Sequence, residues 1–235
     1  MIILAFETSA KAAGVALLKD GALLAESMQN SGLTHSRTLM QMAQAMLIGC
    51  GLGVDEIDAV AAASGPGSFT GVRIGVAAAK GFCWGRQIPC VGVSTLEAMV
   101  RGAAMCDGVY CACMDARREQ VYNAIFRVQD GKAARLSEDR AISLDELRQE
   151  LKNIEEPVFL VGDGALLCYN SFREEISALR LLPEHLRQQR AAGVALAAKD
   201  RLDAGQEADG ARLIPNYLRL SQAERERQKK NSTAE

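Results

Sequence analysis

The sequence predicts an α/β fold built by duplication, with two lobes facing each other across a cleft. Three observations lead there. Short apolar runs of β type alternate with amphipathic helical stretches along the whole chain. Each half opens on an apolar strand that ends in an acid, Glu7 in the first and Asp115 in the second, and then makes an Asp-Gly turn, Asp20-Gly21 and Asp130-Gly131. These pairs are offset by about 110 residues. In each half a later apolar strand runs into a glycine-bearing loop, Gly65-Pro66-Gly67 and Gly162-Asp163-Gly164.

The first strand is Ile2–Phe6, closed by Glu7-Thr8-Ser9. Ala13–Leu18 and Ala22–Ala25 meet across Asp20-Gly21, a short-range hairpin signal. Apolar positions at helical spacing predict a helix over about 36–48, which Gly49, Gly51 and Gly53 end. Ala59–Ala63 reads as a buried strand. The loop from Gly65 follows, then a helix from Val72 to Trp84 and a strand over Cys90–Val93. Ser94 with Glu97 predicts a capping box for a helix through Ala104. In the second half, Tyr110–Met114, Val121–Val128 and Ala133–Leu136 read as strands. Ser143 with Glu146 caps a helix through Leu151, and Val158–Val161 leads through a glycine loop into a further helix. The expected division is an N-terminal lobe over 1–106, a C-terminal lobe over 107–221 and a disordered charged tail over 222–235.

Composition narrows the function. With 49% hydrophobic and 24% charged residues over 235 positions, the chain reads as an ordinary globular protein. Its 27 Lys and Arg against 29 Asp and Glu argue against a grip on nucleic acid by bulk positive charge. The longest stretch without a charge, Thr38 to Val54, is broken by glutamines and glycines and falls short of a membrane span. The apolar start stops at Glu7 and lacks the basic flank of a signal peptide. The 7 cysteines show no CxxC spacing. Cys111 and Cys113 read as small buried hydrophobes on one strand face, and the expected compartment is the reducing cytoplasm.

Several motifs carry chemistry. A phosphate-binding turn would place Asp at the first position of Glu7-Thr8-Ser9 and a glycine soon after. Here the acid is one methylene longer and the glycine is missing. Either the polar side chains cap the hairpin, or Thr8 and Ser9 offer hydroxyls to phosphate. The loop Gly65-Pro66-Gly67-Ser68-Phe69-Thr70-Gly71 holds three glycines and one proline in seven residues and leads into a helix. Backbone N–H groups there favour an anion; a tight strand-to-helix crossover is the other reading. Arg73, expected in the first helical turn, opposes the helix dipole and calls for a carboxylate or phosphate. The candidate nucleotide or anion contacts are therefore Glu7, Thr8, Ser9, Gly65, Gly67, Ser68 and Arg73.

The second helix aligns Gly71, Gly75, Ala79 and Phe82 on one face, with Ala78 beside them. Small residues at this spacing permit close helix approach. The first helix presents Leu39, Met40, Ala43, Met46 and Leu47, and methionine-rich faces adapt to partners. These faces either cover their own sheet or form a helical partner interface. His35 and His185 are the only histidines. A helical metal pair with His35 would need a second ligand at position 39, which is Leu39, so no metal ligand is assigned. Gly67-Ser68-Phe69-Thr70-Gly71 lacks the spacing of a nucleophile elbow, so no catalytic residue is assigned. His35 is expected at the helix start or in an interface.

Two such units side by side describe the actin/sugar kinase/Hsp70-like architecture. The segments Ile2-Ile3-Leu4-Ala5-Phe6-Glu7-Thr8-Ser9, Thr34-His35-Ser36 and Gly65 to Gly75 also resemble the bacterial TsaB family, formerly YeaZ. Val91-Gly92-Val93-Ser94-Thr95-Leu96, Asp115-Ala116-Arg117 with Glu119, Val121 and Tyr122, and Pro215-Asn216-Tyr217-Leu218-Arg219 extend the match. It covers nearly the whole chain, is most specific from Gly65 to Leu96 and is weak from Lys132 to Gly210.

The resemblance implies a non-catalytic scaffold for the formation of threonylcarbamoyladenosine beside the tRNA anticodon. Its catalytic partner would be a TsaD-type paralogue, which carries a metal-binding His-x-x-x-His that this chain lacks. It implies pairing through the first two helices, a TsaE-type ATPase joining the assembly, and a homodimer through the same helices. tRNA is then met indirectly, no cofactor is bound by this chain alone, and ATP or ADP enters with the complex. Glu7 stands where many relatives carry Asp, which argues against metal–ATP chemistry. The asparagine that often follows the second glycine loop is also out of place, the nearest being Asn170. The charged stretch from Arg219 to Lys230 is expected to be solvated, with tRNA contact as its other reading. A small ATP-dependent kinase of the same fold, such as a type III pantothenate kinase, is the alternative, and a peptidase is a third.

Overall fold

The structure, a computed structural model, describes residues 1–206 and 208–219. The expected tail over 222–235 lies outside the described residues. The chain opens with β1 (Ile2–Glu7), β2 (Ala13–Lys19) and β3 (Ala22–Gln29), an antiparallel meander. Asp20 and Gly21 both adopt positive φ, 51° and 87°, the geometry a tight twisted hairpin requires. Then come α1 (His35–Gly49), β4 (Ala59–Gly65), α2 (Phe69–Cys83), β5 (Cys90–Ser94) and α3 (Thr95–Ala103). The strand order is β3-β2-β1-β4-β5, with β1, β4 and β5 parallel.

The second half repeats this plan. β6 (Gly108–Asp115), β7 (Gln120–Gln129) and β8 (Lys132–Arg135) form the meander, and Asp130 and Gly131 repeat the positive φ pair. β9 (Arg140–Ser143) also pairs with β7. α4 (Leu144–Leu151), β10 (Val158–Val161), α5 (Ala165–Phe172) and β11 (Leu179–Leu181) follow, then α6 (Glu184–Arg187) and α7 (Ala191–Asp203). The order β8-β7-β6-β10-β11 matches the first sheet strand for strand. This is the duplicated actin/sugar kinase/Hsp70-like arrangement that the sequence predicts.

Five layers result. α1 and α2 cover one face of the first sheet, burying Leu39, Leu47, Val72 and Val76 against Leu4, Phe6 and Val60. α7 covers its other face with Val194, Ala195 and Ala198, together with Ala98 of α3. α3 turns Leu96, Met99 and Val100 towards Tyr110, Ala112 and Phe126 of the second sheet. α4 and α5 close the far face of that sheet with Leu147, Leu151, Cys168 and Phe172. Burying side chains of this kind stabilises by about 1.5–3 kcal/mol each. α7 thus belongs to the second half of the chain but packs on the first sheet. Its Gly193 lies so close to α3 that a Cβ would stand 2.0 Å from Ala98 O.

Three local expectations are corrected. α2 starts at Phe69 rather than Val72, because Ser68 is its N-cap and accepts the Gly71 N–H. Ser94 Oγ accepts the Glu97 N–H, but the Glu97 carboxylate pairs with Arg201 at 2.6 Å instead of completing a capping box. β9, β11, α6 and α7 are additional elements. The box at Ser143 and Glu146 forms as expected. Among the described residues no helix is long and apolar enough to cross a membrane.

Candidate functional site

The turn at the end of β1 is where the glycine loop closes on the first sheet. Glu7, Thr8 and Ser9 are buried, with Glu7 1% exposed. The Ser9 N–H donates to Glu7 Oε1 at 2.6 Å, and Thr8 Oγ1 donates to Gly71 O at 2.7 Å. The glycine loop closes directly onto this turn. The Ser68 N–H donates to Ser9 O at 2.6 Å, and a Cβ at Gly67 would stand 2.5 Å from the same oxygen. Gly71 is more restricted still: a Cβ there would meet Thr8 O at 2.0 Å. The sequence leaves an anion cradle and a tight strand-to-helix crossover as two readings of this loop; in the structure the chain's own backbone approaches its glycines.

The C-terminal segment covers the outer side of the loop. The Asn216 N–H donates to Ser64 O at 2.6 Å, and Gly65 abuts Asn216 O. Tyr217 stacks on Phe69 with ring centroids 4.0 Å apart. Arg73, the fifth residue of α2 rather than part of its first turn, lies 4.2 Å over the Phe69 ring and donates through Nε to Tyr217 Oη at 2.7 Å. Its partner is aromatic and phenolic, where an anion was expected. Arg219 donates to Ala116 O, so the same segment reaches the second lobe.

From that lobe come Asp115 at the end of β6, Asp163 in the β10–α5 loop and Gln189 before α7. The Arg117 N–H donates to Asp115 Oδ1 at 2.7 Å, repeating the Ser9–Glu7 bond. Arg117, Arg118 and Glu119 all hold left-handed φ, at 63°, 59° and 57°, a run that costs roughly 1–2 kcal/mol per residue. Gln189 Nε2 donates to Asp163 Oδ1 at 2.9 Å. Burial pushes the Glu7 carboxyl up to about 7, and the negative charge of Asp163 adds to the effect. Burial also raises Asp163, reinforced by Asp115. Asp163 and Gln189 were outside the candidate set. Only the Gly162-Asp163-Gly164 loop signalled one of them, and no local pattern marks Gln189.

The helix faces require a correction. Gly71, Gly75, Ala79 and Phe82 point inward, onto Thr8 and into the first-lobe core, and so do Leu39, Ala43, Met46 and Leu47. These eight cover their own sheet. Of the candidate partner residues, Met40 stays exposed and Ala78 half-buried. The solvent sides of α1 and α2 carry Met40, Ile48 and Ala77, and Trp84, just after α2, is 86% exposed. His35 opens α1 as expected, with Nε2 2.9 Å from Ala10 O.

Comparison with known proteins agrees with the topology. The family model for TsaD, tRNA N6-adenosine threonylcarbamoyltransferase, matches residues 29–227. The chain is 31% identical to the tRNA threonylcarbamoyladenosine biosynthesis protein TsaB of Bacillus subtilis, over 95% of this chain and 96% of that protein. It is 36% identical to TsaB of Escherichia coli, over 70% of this chain and 72% of that protein. YeaZ from Pseudomonas aeruginosa superposes with a TM-score of 0.74 at 24% identity, over 92% of this chain and 99% of that one. A full-length match at this identity, on a duplicated fold whose glycine loop closes on its first turn, shows that the chain belongs to the TsaB family of tRNA threonylcarbamoyladenosine biosynthesis proteins.

Proposed function

We propose that the chain is a non-catalytic scaffold subunit that pairs with a TsaD-type paralogue to form threonylcarbamoyladenosine beside the tRNA anticodon. The observation that carries this reading is the set of exposed apolar side chains on the solvent sides of α1 and α2, Met40, Ile48 and Ala77, with Trp84 exposed just after α2. Aromatic and methionine side chains of this kind are enriched at the cores of interfaces. The engagement of the glycine loop by Ser9, Thr8 and Asn216 supports a second part of the reading: the chain binds no cofactor alone, and ATP or ADP enters with the complex. A TsaE-type ATPase would join the pair, and tRNA would be met through the partner. Two copies of the chain would compete for the same helices when the paralogue is absent.

The test is size-exclusion chromatography with light scattering on the chain mixed with the TsaD-type subunit of the same organism, followed by titration calorimetry. Trp84→Ala and Ala77→Arg change the outward face only. Each should raise the dissociation constant at least about tenfold, which is about 1.4 kcal/mol, with circular dichroism unchanged. Gly75 and Ala79 cannot serve here, since leucine at either would disturb the core. Unchanged affinity in both variants would sink the interface. Turnover of ATP with a small acceptor by the lone chain would favour the kinase alternative.

A further inference from the structure

A closed circuit of polar contacts runs between the lobes. It starts on β5 of the first sheet, where Gly92 O accepts from Arg201 of α7 at 2.5 Å. Arg201 pairs with Glu97 of α3 at 2.6 Å. Glu97 meets a second guanidinium, Arg135 of β8 in the second sheet, at 3.5 Å. Arg135 pairs with Asp139 at 2.6 Å, and Asp139 accepts the Ser94 hydroxyl, back on β5, at 2.6 Å. Positive and negative charges alternate around the circuit.

One helical turn after Glu97, Arg101 repeats the bridge. It pairs with Asp200 of α7 at 2.7 Å and donates to Gly131 O, in the β7–β8 turn, at 3.0 Å. α3 thus carries an acid and a base at i and i+4. Each is tied to α7 on one side and to the second-sheet meander on the other. The Asp139 side chain is 11% exposed and that of Arg101 17%, so removing a partner leaves a poorly solvated charge.

The two helices joined in this way have exchanged lobes. α3 belongs to the first half and turns Leu96, Met99 and Val100 to the second sheet. α7 belongs to the second half and packs Val194, Ala195 and Ala198 on the first. They touch through glycine: a Cβ at Gly193 would stand 2.0 Å from Ala98 O, and one at Gly102 3.4 Å from Gly193 Cα. Interlocking ridges of side chains set the angle between packed helices. Backbone lying on backbone has no such ridge, so the flanking charged groups take over that task.

We propose that this circuit is an ionic clamp that fixes the angle between the lobes, with Glu97 and Arg101 as its positioning residues. With the clamp cut, the glycine crossing of α3 and α7 becomes a pivot. The clamp lies apart from the solvent sides of α1 and α2 and does not rest on the partner reading above.

Double electron–electron resonance on the full chain tests the clamp. Spin labels go at Gln44→Cys on α1 and Asn170→Cys on α5, exposed positions on the outer helices of the two lobes. Cys106→Ser removes the exposed native thiol. The intact clamp should give one narrow distance distribution. Glu97→Gln combined with Arg101→Gln should widen it at least about twofold, with circular dichroism unchanged. Arg135→Gln leaves α3 and α7 untouched. It should widen the distribution less, and it serves as the reading if the double variant does not fold. Arg148→Gln, which breaks ion pairs to Asp145 and Glu175 within the second lobe, should change nothing. An unchanged distribution in either folded clamp variant, or an equal widening in Arg148→Gln, would overturn the proposal.

Discussion

The two halves of the molecule place the same turn at the end of their first strands and give it different chemistry. In both, a carboxylate accepts the N–H of the residue two positions on, at 2.6 Å in the first turn and 2.7 Å in the second. The first turn lies under the 65–71 loop, and its acid is raised to about 7. The second is open: Asp115, Arg117, Arg118 and Glu119 are exposed, and the last three hold left-handed backbone. Duplication has kept the hydrogen bond, while only the first acid is buried, and burial raises it.

The comparison breaks most visibly at Gly71, which seals the first turn. A methyl there meets backbone at 2.0 Å, and neither β1 nor α2 can yield without moving its sheet or helix. Gly71→Ala should cost more than about 3 kcal/mol in chemical denaturation, or prevent folding. Gly81, on the same helix with nothing within 4 Å of its would-be Cβ, is the control. Gly81→Ala should be neutral or stabilise by up to about 1 kcal/mol. Equal losses at both positions would show that the contact with Thr8 does not seal the turn.

The next effect sharpens the electrostatic half of the comparison. The folded-state pKa of Glu7 lies above its ordinary 4.5, so the folded chain binds this proton more tightly than the unfolded chain. The corresponding stability is fully present below about pH 4.5 and is lost as pH rises through about 7. A rise from 4.5 to about 7 corresponds to roughly 3 kcal/mol. Asp163, also raised, works in the same direction. Urea unfolding at pH 5 and pH 8 should show the wild type losing stability and Glu7→Gln losing less of it. Parallel losses would mean that other groups carry the pH dependence.

The sequence exposes the duplication because its signals are local. Asp-Gly turns, capping residues and alternating apolar runs depend on a few neighbours, and each half contains them in the same order. α7 left no such mark. Ala191, Gly193, Val194, Ala195, Ala197 and Ala198 are buried around most of its circumference, so no apolar stripe stands out. The inward direction of the Gly71–Phe82 stripe was equally hidden, since small residues serve a partner helix and a β-turn equally well. The link between Arg73 and Tyr217 spans 144 residues, beyond any local pattern. The need for glycine in the 65–71 loop was legible; that the chain itself fills the space was a matter of tertiary packing.

The smallest effect concerns the segment that joins the two turns. Residues 213–219 run from the first-lobe core, where Leu213 is buried, past Ser64 and Phe69, to Ala116 beside the second turn. Tyr217→Phe keeps the stack on Phe69 and removes only the hydroxyl that accepts from Arg73. Arg73 is exposed, so water replaces that bond, and the loss should be about 0.5–1 kcal/mol. Arg73→Ala also forfeits the contact over the Phe69 ring and should cost slightly more, about 1 kcal/mol. A double-mutant cycle between the two positions reads their coupling directly. Coupling below about 1 kcal/mol would place the hold of this segment on Leu213 and the Asn216 backbone bond. Coupling of several kcal/mol would make the Arg73–Tyr217 pair the clasp through which the open turn and the buried turn are tied together.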